Sequence, residues 1–136
     1  MVFYIMIIYL ILIIIPLMMI IFGNRFYNNP PNKINMIFGY RTRRSMKNAD
    51  TWEFAHEHIG KTWRLAGWIT LGASVLALII VNVLSRLIDL GEGFHAFYFI
   101  AVLIGAQLVV LIASIFPTES ALKMNFDKNG NRIIKE

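Results

Sequence analysis

Apolar residues run almost unbroken through three stretches of the chain, at Val2–Phe22, about Leu65–Leu87 and about His95–Phe116. Each has about the length needed to cross a hydrocarbon layer. Backbone groups in lipid must bond within their own segment, so helix is the predicted state of all three. None alternates with a period of two, which argues against a barrel. The first run could be mistaken for a secretory leader. It fits that reading poorly: no Lys or Arg precedes it, its apolar core is too long, and no small-residue cleavage site follows.

Between the first two runs lies a polar loop, residues 23–64, and after the third a tail, residues 117–136. Gly23 is expected to end the first helix, and Pro30 and Pro31 to prevent its continuation. "NMIFGY" (Asn35–Tyr40) is too short to span, and is expected at headgroup level or packed on the bundle. From Asp50 the pattern turns helical. Asp50 can cap, with Glu53 three residues on. Trp52, Ala55, Ile59 and Trp63 recur at spacings of three and four. Glu57 and Lys61 have the order of a favourable i,i+4 pair. The segment reads as an amphipathic helix along the membrane surface, tryptophans turned to the interface, with or without a break before the second span. In the tail, a short helix from Pro117 should lay "ALKMNF" against the bundle, followed by a turn at Gly130.

Composition agrees with a membrane medium. Of 136 residues, 57% are hydrophobic and the mean hydropathy is +0.61. Only 15% are charged, against about 25% in soluble domains. The length suits one domain, residues 1–136. The expected fold class is all-α: three transmembrane helices plus the amphipathic helix in the first loop. The net charge of +5 is unevenly spread. The loop carries Arg25, Lys33, Arg41, Arg43, Arg44, Lys47, Lys61 and Arg64, and the tail Lys123, Lys128, Arg132 and Lys135. The connection between the second and third spans has only Arg86. The positive-inside rule then puts loop and tail in the cytoplasm, with the amino terminus and the Asp89–Phe94 turn outside. The cations thus report orientation rather than nucleic-acid binding.

Candidate chemistry is sparse. Without cysteine there is no thiolate catalysis, disulfide or cysteine-ligated zinc. No charge lies near the centre of a span, which argues against ion-coupled transport. The polar residues within spans are Thr70, Ser74, Asn82, Gln107 and Ser114. Ser74 and Gln107 fall at matching depth on antiparallel helices and are predicted to meet. Ala101 and Gly105 form a small-xxx-small pair suited to close helix contact. Pro16 should free a carbonyl and kink the first helix. Glu53, His56 and Glu57 could share a helical face, yet HExxH is missing, and a solvated, headgroup-facing patch around His56 and His58 is the expectation. "DKNGN" (Asp127–Asn131) reads as a turn rather than a calcium loop. No nucleophile–base set, metal or cofactor site emerges, so the expectation is a non-enzyme.

The densest polar stretch carries more information. "GYRTRRSMKNADTWEFAH" (Gly39–His56) resembles the signature of the SdpI/YfhL family of small bacterial membrane proteins, through Gly39, Tyr40, Arg41, Thr42, Ser45, Asn48, Trp52, Ala55 and His56. "PTESALKMNFDKNGNR" resembles the family's second landmark after its last helix, through Pro117, Thr118, Glu119, Phe126 and Asp127. Gly60 and Trp63 also fit. The resemblance covers most of the chain from Asn35 onward. It implies an immunity or signalling protein of the bacterial cytoplasmic membrane. Such a protein would guard against a secreted peptide toxin and relay its presence to a cytoplasmic transcriptional regulator. Membrane lipids and a homo-oligomer complete the expected partners. A small oligomeric transporter or channel is the alternative. Loop motif and tail share one side, so they should pack together, with Arg41 paired to Glu119 or Asp127.

Overall fold

The computed structural model describes residues 2–87 and 94–133. Four helices follow in order: α1 (Val2–Asn28), α2 (Ala49–Leu87), α3 (Phe94–Ala113) and α4 (Ile115–Asn125). Among the described residues the only pairing outside helices is an isolated antiparallel bridge between Phe126 and Arg132. α1, α2 and the α3–α4 arm each contain a helix long and apolar enough to cross a membrane. The turn expected at Asp89–Phe94 lies, up to Phe94, outside the described residues.

One boundary differs from the sequence reading. Gly23 does not end the first helix, which continues to Asn28. Instead, Gly23 is buried where α1 meets α2, facing the backbone of Arg64 and Gly60. The helix begun near Asp50 runs without a break into the second span, one of the two arrangements the sequence leaves open. It is the first part of one continuous 39-residue helix. At about 1.5 Å per residue that helix is longer than a hydrocarbon layer is thick, so one end must project. Its cap also differs. Asn48 Oδ1 accepts the Thr51 N–H at 2.8 Å, and Thr51 Oγ1 accepts the Asn48 N–H at 3.1 Å. This reciprocal bonding satisfies donors that a helix start leaves unpaired. Asp50 is left free for another partner, described below.

The close helix contact also lies elsewhere than expected. Ala101 and Gly105 are exposed, and a Cβ on Gly105 would meet nothing within 4 Å. The intimate crossing is instead α1 on α2, at Gly23 and Gly60. The apolar core sits at the cation-rich end of the molecule. Phe26, Tyr40, Ala55, Ile59, Leu122 and Phe126 form it, with Phe22, Phe54 and Trp63 packed alongside. Farther along the spans most large apolar side chains face outward, as a lipid solvent permits.

One polar knot ties the three spans together. Pro16 has no N–H, so the Leu12 carbonyl loses its normal intrahelical donor. Gln107 Nε2 reaches across from α3 and donates to Leu12 O at 2.9 Å and to Ser74 Oγ at 2.8 Å. Ser74 Oγ in turn donates to Thr70 O at 2.8 Å. The predicted meeting of Ser74 and Gln107 is therefore present, and the proline explains why an amide is used there. Asn82, by contrast, is exposed and donates to Tyr9 Oη at 2.8 Å. Replacing Gln107 with Leu strands the Leu12 carbonyl. Gln107→Leu should lower stability by about 1 kcal/mol, read as an earlier midpoint in a detergent unfolding titration. An unchanged midpoint would show the knot to be energetically idle.

Candidate functional site: a hydrogen-bonded polar cap

The two sequence landmarks fold onto one another at the cation-rich end. Gly39 makes the entry possible. Its φ of +122° lies in the region that side chains disfavour, and a Cβ there would stand 2.4 Å from His56 Nε2. The chain thus passes close enough for the Tyr40 N–H to donate to His56 Nε2 at 2.8 Å. Nε2 is the acceptor, so the ring proton belongs to Nδ1, which donates to Trp52 O at 2.7 Å. The imidazole is neutral and fully used.

His56 and Trp52 are both completely buried. The expectations of a solvated histidine patch and an interfacial tryptophan face fail here for one reason: α4 and the loop cover this face of α2. Trp52 stacks at a tilt on His56, centroids 4.3 Å apart, and Phe26 meets His56 edge-on at 5.0 Å. The Trp52 Nε1–H is buried with no acceptor among the described residues, so packing holds the ring. Trp63 is partly buried, its Nε1–H donating to Ser114 Oγ at 2.7 Å.

Ser45 anchors the loop. Its hydroxyl donates to Tyr40 O at 2.7 Å and accepts the Thr42 N–H at 2.9 Å. The Thr51 hydroxyl donates to Ser45 O at 3.1 Å. Short hydroxyl side chains bond easily to nearby backbone, which explains Thr42 and Ser45 at this spacing.

The tail supplies the other wall. α4 begins at Ile115, so Pro117 falls in its first turn, where a missing N–H costs nothing. Thr118 is buried, its hydroxyl 3.1 Å from His58 Nδ1. Phe126 packs edge-on against Phe54 at 5.2 Å. Arg41 does not pair with Glu119 or Asp127. Its guanidinium turns back to the Met36 carbonyl. Glu119 accepts the Tyr40 hydroxyl at 3.0 Å and lies 3.8 Å from Arg44. Burial pushes the Tyr40 phenol well above its ordinary range, and the charge and hydrogen bond of Glu119 push the same way, so it stays a donor. Asp127 closes its own turn, accepting the N–H groups of Asn129 and Asn131 at 2.7 and 2.9 Å.

Two ties that no residue pattern announced clamp tail to loop. Asn48 Nδ2 donates to Gly130 O at 2.7 Å, and Arg132 pairs with Asp50 through two bonds of 2.7 Å. Gly130, at φ +90°, allows the close pass against Asn48. The reciprocal Asn48/Thr51 spacing was a readable signal; the partners eighty residues away were not.

No metal-binding group of three or more His, Asp or Glu occurs among the described residues. What the cap offers is a cleft of about 500 Å³. Phe22, Phe26, Phe38, Trp63, Leu111 and Ile112 line it, and Arg41 and Thr42 add polar groups to its wall. Motif residues and span residues share this surface.

These features define a class: a small multi-pass helical membrane protein whose spans carry a hydrogen-bonded polar cap at one end. The model of the SdpI/YfhL protein family matches residues 32–118, well over half of the sequence, and the chain belongs to that family. It is 37% identical over 59 residues to the uncharacterized protein YfhL of Bacillus subtilis (strain 168). That stretch covers 43% of this chain and 54% of that relative. No solved structure matches.

Proposed function

We propose that the protein is a non-enzymatic immunity and signalling protein of the bacterial cytoplasmic membrane. In this reading the spans and cleft sense a secreted peptide toxin, and the cap relays its presence to a cytoplasmic regulator. The cation distribution supports an outside amino terminus and a cytoplasmic cap. One observation carries the proposal: the cleft is walled by Gly39–Thr42 of the motif together with Phe22, Leu111 and Ile112 of the spans. An event among the spans therefore has a direct packing route to the cap.

Filling the cleft tests this. Ile112 is exposed and lines the cleft. Ile112→Trp should reduce survival of toxin-challenged cells at least about tenfold, with membrane levels of the protein unchanged. Undiminished protection would refute the role of the cleft. A reporter fused after Glu136 and active only outside the cytoplasm would refute the orientation.

A small oligomeric transporter is the second reading, favoured by the buried Ser74–Gln107 pair at the heart of the bundle. Solute flux through protein-loaded liposomes that falls in Gln107→Leu would support it over the first.

A further inference from the structure

The fold gathers four cations around a second cavity, of about 490 Å³, lined by Arg43, Arg44, Lys47 and Lys128. Arg41, which the sequence places in the same basic run, is not among them. Lys128, eighty residues away, is. Each contributor stands on a hydrogen-bonded turn. The Arg43–Lys47 segment is held by the Thr42–Ser45 bonds and by Met46 N–H donating to Thr42 O at 3.1 Å. Lys128 lies in the Asp127 turn, which the Asn48–Gly130 bond fixes against the start of α2.

The local charge is poorly balanced. Glu119 stands 3.8 Å from Arg44 and also receives the Tyr40 hydroxyl. Arg43, Lys47 and Lys128 have no acidic partner among the described residues. Four like charges around one hollow repel one another within a Debye length. The neighbouring clamp shows the contrast, because Arg132 is neutralised there by Asp50. A phosphate would relieve the repulsion, since arginine donors match its oxygens in pairs and lysine adds point charge.

We propose that Arg43, Arg44, Lys47 and Lys128 form a binding site for a phosphate-bearing anion. The source is either the headgroup of an anionic phospholipid or a soluble phosphate. The site does not depend on the immunity reading, because it lies outside the apolar cleft.

The test uses the full chain and two arms. In the first, retention of phosphatidylglycerol from mixed micelles is measured by native mass spectrometry. In the second, inorganic pyrophosphate is titrated calorimetrically into protein held in phosphatidylcholine nanodiscs. At roughly fivefold per cation, Arg43→Gln/Lys47→Gln/Lys128→Gln should weaken binding on the order of a hundredfold, and Lys128→Gln alone about fivefold. A control losing equal charge elsewhere, Arg25→Gln/Lys33→Gln/Lys123→Gln, should stay within about twofold. The arm that responds names the source. Equal losses in site and control variants would reduce the effect to diffuse charge and overturn the proposal, as would absence of binding in both arms. Should the triple variant fail to fold, Lys128→Gln decides: undiminished binding overturns the site.

Discussion

Gly60→Val is expected to separate the two principal helices and to destabilise the protein by about 3 kcal/mol, near the upper end for overpacking. The reason is what a side chain would strike. A Cβ on Gly60 would lie 2.5 Å from Tyr27 N, 2.9 Å from Gly23 O and 3.0 Å from Phe26 C. All three are backbone atoms, so no rotamer change can make room. Gly23 meets the backbone of Arg64 just as closely, at 2.5 Å, so the two glycines form one interlocked crossing. The core cluster around Phe26 and Ile59 is built directly upon it. Gly105→Val provides the contrast. Open space surrounds that position, and its effect should stay within about 0.5 kcal/mol. Unfolding in denaturing detergent measures both. Equal stability for Gly60→Val and wild type would show that α1 and α2 are free to slide apart.

The second large effect is expected at His56. His56→Ala removes a fully buried ring together with the acceptor for Tyr40 N–H, the donor to Trp52 O, and the contacts to Trp52 and Phe26. Loss of core volume and a stranded buried donor together should cost about 4 kcal/mol. The loss should concentrate in the cap. Limited proteolysis should cut the loop between Pro31 and Lys47 much faster, while the spans remain helical by circular dichroism. His56→Gln, whose carbonyl oxygen can accept the Tyr40 N–H, should recover part of the loss. Wild-type protease resistance in His56→Ala would mean that Ser45 and Tyr40 hold the loop without the imidazole.

The spans were readable from sequence because apolar length is a local property, and so was the family resemblance. The Ser74–Gln107 meeting could be read from depth alone. The errors share a cause. The sequence around His56, Trp52 and Gly23 reflects only near neighbours in the chain, whereas their surroundings come from distant segments. His56 and Trp52 lie on an amphipathic face that would meet lipid if uncovered; α4 and the Gly39–Tyr40 turn cover it. Gly23 has the composition of a helix stop, yet it serves the crossing with Gly60. Arg41 looked like the natural partner for Glu119, but the turn at Thr42–Ser45 directs Arg44 and Tyr40 there instead. Ala101 and Gly105 show the converse: a small-residue spacing without a packed neighbour among the described residues.

The clamp joining Asn48 and Asp50 to Gly130 and Arg132 has a consequence for biogenesis. These partners are separated by two membrane crossings, an even number, so both ends emerge on the same side whichever way the protein is threaded. Their union also comes late in translation, because Arg132 leaves the ribosome long after α1 and α2 can associate. Assembly of the cap therefore reports that the chain has been inserted as far as Arg132, and a nascent chain stalled before Asn129 would expose an unfinished loop to membrane proteases.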